Sequence, residues 1–518
     1  MEASSAVNEK IRKALLLALN SSYQLDQEAF AFITSQAETR DIVKLMEQLI
    51  AKLNQSSSKS PIITKQLLAQ EIEVCQEKTE EGSPSVSIET GKGVFQPYAK
   101  TVESEVQVLE DPTEEISSMG EANDFLNYFR DRFARIERIL RQRLDARDSV
   151  SISEALEAPI KKEVKTIGIV TQKTERKKTI LMQIEDLTST ATVLVPPGSD
   201  EKTLERAGSV LLDQVVCVLA TRSRDNVLIA KDFILPDIPE RKPKRSPEDV
   251  CAALISDLHV GSKAFLNDVF CRFLSWLKGG VGNSNQREIA GKVKYVIIAG
   301  DLVDGIGVYP NQESELAVND IYEQYRLVAG LIGQIPDYIE VIAIPGNHDA
   351  TRQALPQPAI PRKYTEPLLE SRKIIMLGNP ARVRLHGVEI LSYHGKSLDD
   401  VIGSVPEITY QSLSRTVTKA MKHLLRGRHL APVYGGRTSI APEPRDRLVV
   451  ERIPDIFHVG HVHVIGSENY RGTLILNSGA WQTQTEFQRK MDVSPTPGIA
   501  PIINLKTYEL SLKNFMLS

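Results

Sequence analysis

The chain has few cysteines, few aromatics and no long apolar run. Its four cysteines (Cys75, Cys217, Cys251, Cys271) stand far apart with no CxxC spacing. That argues against a disulfide framework or a thiolate zinc site, and for a reducing, cytoplasmic setting. No run approaches the roughly 18 apolar residues of a membrane span. The opening Met-Glu-Ala-Ser-Ser lacks the basic and apolar regions of a signal peptide. Net charge is only −4, with 63 basic and 67 acidic side chains, so global charge names no partner. Neither GxxxxGK[ST] nor a strand-linked GxGxxG occurs, so no nucleotide cofactor is expected. What the chain has is length. Its 518 residues exceed what one hydrophobic core supports, so a multidomain α/β protein is expected.

Within that length, Ala252 to His348 holds three signatures, each after an apolar run. Asp257-Leu258-His259 follows Ala252–Ser256. Gly300-Asp301-Leu302-Val303-Asp304-Gly305 follows Tyr295–Ala299. Gly346-Asn347-His348-Asp349 follows Val341–Ile344. Two later runs, Val388–Tyr393 and Asp455–Val459, lead into His394 and into Gly460-His461-Val462-His463. Short continuous apolar runs closed by Gly or Pro predict strands buried on both faces. Five such strands deliver Asp, Asn and His at their carboxyl ends, the edge of an open α/β sheet where ligands bind.

The donor types suit divalent metal. If the backbone stays extended, Asp257 and His259 point to one side. Asp301 adds a carboxylate that can bridge, Asn347 a neutral oxygen, and His394, His461 and His463 three imidazoles. Seven N/O donors suit two ions about 3.5–4 Å apart, which bind a phosphodiester and activate water. His348 is placed to protonate a leaving alkoxide, with Asp349 as the carboxylate that holds it from behind and Asp304 shaping the turn after Asp301. Any one of these residues alone would be read as a cap or core group; five motifs in order, each after a strand, would not.

In chain order, residues 1–53 predict a helical module from the spacing of Ile11, Leu15, Leu16 and Leu19, then Ala29, Phe30 and Ile33, then Ile42, Leu45, Met46 and Leu49. Residues 54–118 are polar and aperiodic, a flexible linker. Residues 119–157 hold a helix from about 121 to 145, whose Arg-rich face is expected to be solvated. Residues 158–239 predict five short strands with a helix (Glu201–Ala207) between the third and fourth, an OB-type barrel. Its only aromatic is Phe233, so a structural role is favoured over base stacking. A basic linker, 240–247, precedes the last domain, 248–518. Inside that domain, residues 411–440 carry Arg415, Lys419, Lys422, Arg426, Arg428 and Arg437 and no acidic residue. These could contact nucleic acid or another subunit, or could simply be solvated.

The five motif blocks resemble those of the calcineurin-like metallophosphoesterases. Within that superfamily, three stretches resemble the small subunit of archaeal family D DNA polymerase: Gly346–Pro358, Gly460–Val464 and Asn477–Gln484. The resemblance implies a β-sandwich flanked by helices, preceded by the barrel and the helical module. It implies two divalent ions, manganese first, with magnesium, iron or zinc as the other options. Asp257, His259 and His463 would hold one ion, Asn347, His394 and His461 the other, with Asp301 bridging and His348 catalytic. It further implies a 3′→5′ exonuclease that proofreads DNA with a free 3′ end for a large polymerase subunit. Two other readings stand beside it: a scaffold subunit with an idle site, and a stand-alone phosphatase or phosphodiesterase.

Overall fold

The computed structural model describes residues 95–516 apart from 225, together with scattered positions between Ile11 and Ile63. The chain divides into two compact units, Met1–Gly93 and Val94–Ser518. In the first, Ile11, Ala29, Ile33, Ile42, Met46 and Leu49 are helical and buried in one cluster. Leu15, Leu16, Leu19, Phe30 and Leu45, also expected on these helical faces, lie outside the described residues. So does nearly all of 54–94. The unit also has a parallel pairing of Gln24–Leu25 with Ile62–Ile63, which periodicity does not predict.

The polar stretch is not a linker through to residue 118. Phe95 packs into a core cluster, and Val106–Glu110 (β1) is a strand antiparallel to Ala381–Leu385. An edge strand needs only one apolar face, and Val106 supplies it within a segment too polar to read as a strand. The helix Ala122–Arg141 (α1) follows. Its arginines are not all solvated. Arg132 is fully buried, 2.8 Å from Asp446, and Arg135 pairs with Asp131 and Glu451 at 3.0 Å. The helix stops at Arg141, short of the expected 145, and Leu144 beyond its end is exposed.

Next comes a closed five-stranded barrel. Its strands are Glu163–Arg176 (β2), Thr179–Glu185 (β3), Thr190–Val195 (β4), Val215–Arg222 (β5) and Val227–Ile234 (β6), with helix Glu201–Ser209 (α2) between β4 and β5. The order is β2-β3-β4-β6-β5. Every second residue of β3 and β4 is buried, the period-2 pattern of a filled barrel. Phe233 is buried in that filling. The basic 240–247 segment docks on acidic groups: Arg241 lies 2.6 Å from Asp455 and Lys244 3.0 Å from Glu389, both carboxylates nearly inaccessible.

The remainder forms two six-stranded sheets. The first contains Cys251–Ile255 (β7), Val293–Ala299 (β8), Glu340–Ile344 (β9), Ile375–Met376 (β10), Ile499–Asn504 (β16) and Leu510–Asn514 (β17), in the order β10-β9-β8-β7-β16-β17. The second contains β1, Ala381–Leu385 (β11), Val388–Tyr393 (β12), Ile456–Val459 (β13), Ile465–Tyr470 (β14) and Thr473–Ser478 (β15), in the order β14-β15-β13-β12-β11-β1. The sheets face each other across one cluster: Ala252, Leu254, Ile297 and Ile342 meet Val383, Ile390, Ile456 and Leu476. Alternate residues of the first sheet pack on helices Asn267–Leu277 and Ile321–Ile332. Those of the second pack on Leu413–Gly427 (α3). Burying one such aliphatic side chain contributes about 1.5–3 kcal/mol. The predicted strands are therefore present and buried on both faces, but not in one sheet. β7, β8 and β9 lie parallel in the first, β12 and β13 parallel in the second. Among the described residues no helix is long and apolar enough to cross a membrane.

Candidate metal centre

The loops leaving these five strands converge. Those after β7 and β8 are joined by backbone bonds: the Asp257 N–H donates to Gly300 O at 3.0 Å, His259 N–H to Asp301 O at 3.1 Å, and Asp304 N–H to Val260 O at 3.0 Å. The backbone is not extended here. Asp257 (φ 54°), His259 (53°) and Asp301 (53°) are left-handed, as are His461 (71°) and His463 (58°). The expected extended backbone is replaced by a left-handed one at each of these donors. Each such position costs about 1–2 kcal/mol for a residue with a Cβ. Strain of this kind persists where surrounding structure enforces it, typically at functional sites. Two glycines permit the crowding. A Cβ on Gly346 would collide with Asp301 Oδ1, and one on Gly460 would lie 2.5 Å from Asp257 Oδ2.

The donor atoms form two groups. In the first, His259 Nε2 and His463 Nε2 are 3.0 Å apart, and Asp257 Oδ1 lies 3.4 Å from His463 Nε2. In the second, the ligand atoms of Asp301, His394 and His461 lie within 4.8 Å of one another, and Asn347 Oδ1 is 3.0 Å from His394 Nε2. Asp301 Oδ2 stands between the groups, 3.3 Å from His394 Nε2 and 3.6 Å from His259 Nε2. The rings are held from behind. His394 Nδ1–H donates to Ala299 O at 2.9 Å. His259 Nδ1 faces Asp304 Oδ1 at 3.0 Å, His461 Nε2 faces Asp399 Oδ2 at 3.1 Å, and His463 Nδ1 faces the Gln488 amide at 2.8 Å. At His259, His394 and His461 an oxygen acceptor holds the hydrogen on one ring nitrogen and leaves the other its lone pair, the arrangement a metal-binding histidine requires, whereas at His463 the Gln488 amide N–H donates to Nδ1 and steadies the ring.

The electrostatics favour cations. Burial alone would lower His259, but its bond to Asp304 and the charge of Asp301 push it up to about 9. Burial likewise opposes charge on His394, yet Asp301 raises it to about 9. Burial works against ionised Asp301 too, and the neighbouring His394 and His348 outweigh it and hold the carboxyl well below its usual range. The site thus stabilises positive charge in a buried place, and its N/O donor set fits divalent metal ions.

His348 sits at the rim. Its N–H donates to Asp301 Oδ1 at 2.8 Å, and its Nδ1–H donates to the Asp304 carbonyl at 2.7 Å. Burial pushes its imidazole down to about 4. Asp349 does not hold this ring. Its carboxylate accepts from Gly346 N–H, Leu302 N–H and Tyr325 O–H, so it ties the loops after β8 and β9 together. Burial, then the charge of Asp301, raises it to about 7. Asp304 does more than shape a turn: its side chain orients His259, its carbonyl orients His348, and it is itself held by Gln312 and Gln482. A cavity of about 270 Å³ opens over His259, Asp301, Asn347, His348, His461 and His463, walled by Tyr309, Lys396, Asp399 and Tyr410. Asp399 and Gln488 carry no signal in the sequence beyond nearness to a motif, and Gln482 lies in the Asn477–Gln484 stretch without a role assigned to it there.

The basic stretch is not one free stripe. Arg428 is buried and donates to the carbonyls of Val450, Asp237 and Glu451. Lys422 pairs with Glu468 beside the Tyr470 ring. Lys419 reaches Glu407 at 3.3 Å in an exposed pair, Arg426 is half-buried, and Arg415 is exposed. His423, His429 and His458 are core residues.

Residues 252–464 match the family of the B subunits of DNA polymerases alpha and epsilon. The DNA polymerase II small subunit of Methanothermobacter thermautotrophicus is 35% identical over 90% of this chain and 93% of its own length. That of Archaeoglobus fulgidus is 41% identical over 76% of this chain and 77% of its own. That of Pyrococcus furiosus is 41% identical over 74% of this chain and 62% of its own. The matched region spans about three fifths of the Pyrococcus relatives. Among solved structures, an archaeal phosphodiesterase aligns at 13% identity and a TM-score of 0.25, covering 51% of this chain and 99% of its own. That likeness is too slight to carry an argument. The polymerase relatives are a different matter: 35% identity across nine tenths of both chains shows that this chain belongs to the DNA polymerase II small subunits, those of archaeal family D DNA polymerase.

Proposed function

We propose that the chain is a metal-dependent 3′→5′ DNA exonuclease of the calcineurin-like metallophosphoesterase type. In this reading it proofreads as the small subunit of a two-subunit replicative polymerase, with the large catalytic subunit as its partner. The observation that carries the reading is the convergence of all seven donors, from two sheets, in two adjoining groups, with five of them (His259, Asp301, Asn347, His461 and His463) lining one cavity beside His348. Asp257, His259 and His463 would hold one divalent cation, Asn347, His394 and His461 the other, with Asp301 shared. Bound there, two ions such as manganese supply an acidified water and charge neutralisation for a phosphodiester.

The chain's own residues do the rest. The Asp304 carbonyl fixes the His348 tautomer with Nδ1 protonated, so Nε2 is the atom left for proton transfer. Burial keeps that ring neutral, and a phosphodiester anion entering the cavity favours its protonated form. Nε2–H then delivers its proton to the leaving oxygen, a contribution of about 10²–10⁴-fold. The barrel, of OB type, serves as a structural domain, since its one aromatic is buried.

The test is digestion of a 5′-labelled, 3′-mismatched primer–template by the purified chain with manganese. Laddering from the 3′ end, lost with chelator and in His348→Ala, is the expected result. Hydrolysis of a chromogenic monoester without laddering would replace it with the stand-alone phosphatase reading. No digestion, with or without the large subunit, would leave the scaffold role.

A further inference from the structure

We infer that Asp399 is a positioning residue for the metal centre, acting through His461 to select the ring tautomer that can ligate; this rests on the metal centre proposed above. His461 belongs to the donor group of Asp301 and His394. Its Nε2 is 3.1 Å from Asp399 Oδ2, so Nε2 carries the hydrogen and Nδ1 is the ligating atom. The carboxylate is itself immobilised. Lys396 Nζ donates to Oδ2 at 2.8 Å, and Tyr410 O–H donates to Oδ1 at 2.9 Å. The Arg437 guanidinium donates in turn to the Tyr410 hydroxyl at 2.8 Å. Both of its oxygens are thus engaged, and Asp399 faces His461 in one orientation.

The arrangement mirrors the other half of the site, where Asp304 holds His259 by its distal nitrogen at 3.0 Å. One ligand imidazole in each half is therefore oriented by a carboxylate. His394 is oriented by a backbone carbonyl, which no side-chain substitution removes. Without Asp399, the hydrogen on His461 can move to Nδ1, and the ring then presents N–H where a lone pair is needed. Loss of such a partner weakens metal binding about 10–100-fold. Because the role concerns orientation as well as charge, an amide that still offers an acceptor should retain much of it.

The experiment is calorimetric titration of the full chain with manganese chloride, with the melting temperature of each metal-free variant as the control for folding. The parent chain is expected to take up two ions. Asp399→Ala should weaken one of them by about 10–100-fold and leave the other unchanged. Asp399→Asn should weaken it by clearly less, and Tyr410→Phe, which removes only the hydroxyl that steadies the carboxylate, should act in the same direction. Two unchanged sites in Asp399→Ala overturn the role while the metal centre stands. Equal losses in the Ala and Asn variants overturn positioning in favour of bare charge. A parent chain that takes up no manganese overturns the metal centre and this role with it.

Discussion

Arg132→Met should be among the most destabilising single changes outside the candidate metal centre. Arg132 is fully buried in α1, its Nε 2.8 Å from Asp446. It also donates to the Pro432 carbonyl at 2.7 Å, the Tyr128 hydroxyl at 3.0 Å and the Asp213 carbonyl at 3.3 Å. Methionine fills much of the volume but leaves a buried carboxylate without its cation. Breaking a buried pair from one side costs about 3–5 kcal/mol. At about 2 cal/mol/K per residue, a unit spanning Val94–Ser518 has an unfolding entropy near 0.9 kcal/mol/K, so the melting point should fall by about 3–6 °C. Arg132→Met/Asp446→Asn removes the second charge and keeps the shape, and should recover a coupling of about 0.5–3 kcal/mol. There is a pH signature as well. His429 Nε2 lies 2.7 Å from Asp446 Oδ2, and in the parent burial, then the Arg132 charge, hold it down to about 4. Without Arg132 it can protonate and replace the lost cation. Its folded pKa then rises above the unfolded value, so the rescue is present below about pH 6.5 and lost as pH rises. Differential scanning fluorimetry at pH 6 and pH 8 reads all of this. A double variant no more stable than the single, or a penalty no larger at pH 8, would refute the reasoning.

Other outcomes follow from the same geometry. His423, beside Gln214, is held down to about 4, first by burial and then by Arg426 and Lys173. The unfolded chain binds the extra proton between about pH 6.5 and pH 4, so stability should fall by about 3 kcal/mol as pH drops through that window, and His423→Leu should flatten the slope. Gly346→Ala drives a Cβ into Asp301 Oδ1, so calorimetry should show manganese uptake reduced in both halves of the site, which share that carboxylate. Arg428→Ala should lower the melting point, because three carbonyls lose their donor, whereas Arg415→Ala should leave it unchanged. If the exposed end of α3 contacts phosphate, only Arg415→Ala will also reduce the salt dependence of DNA binding, by a slope of about one.

The site is legible in the sequence because its chemistry is local. Each donor follows a run such as Tyr295–Ala299 or Val388–Tyr393, and those runs are strands within a residue or two of their expected bounds. Periodicity says strand, though, and not which sheet, so it does not separate β7–β9 from β12 and β13. Nor does it foretell the left-handed backbone at Asp257 and His259, where neighbouring loops impose a conformation that residue type only tolerates. Arg132 and Arg135 look solvated in sequence because their acidic partners, Asp446 and Glu451, lie about 300 residues away. Asp399 is invisible for the same reason: its meaning comes from His461, 62 residues on. At Asp349, adjacency to His348 suggests a contact that the turn directs elsewhere.

The short strand β1 limits how far the chain can be cut back. It covers the edge of β11, pairing Val106–Glu110 with residues 382–385, and β11 carries the buried Arg382, Val383 and Leu385. A protease that removes everything before Val94 leaves both sheets complete. One that cuts at Ser118 strips β1 and bares the backbone donors and acceptors of β11, an open template for strands of other molecules. Between those two points lies the difference between a trimmed, well-behaved chain and a precipitate.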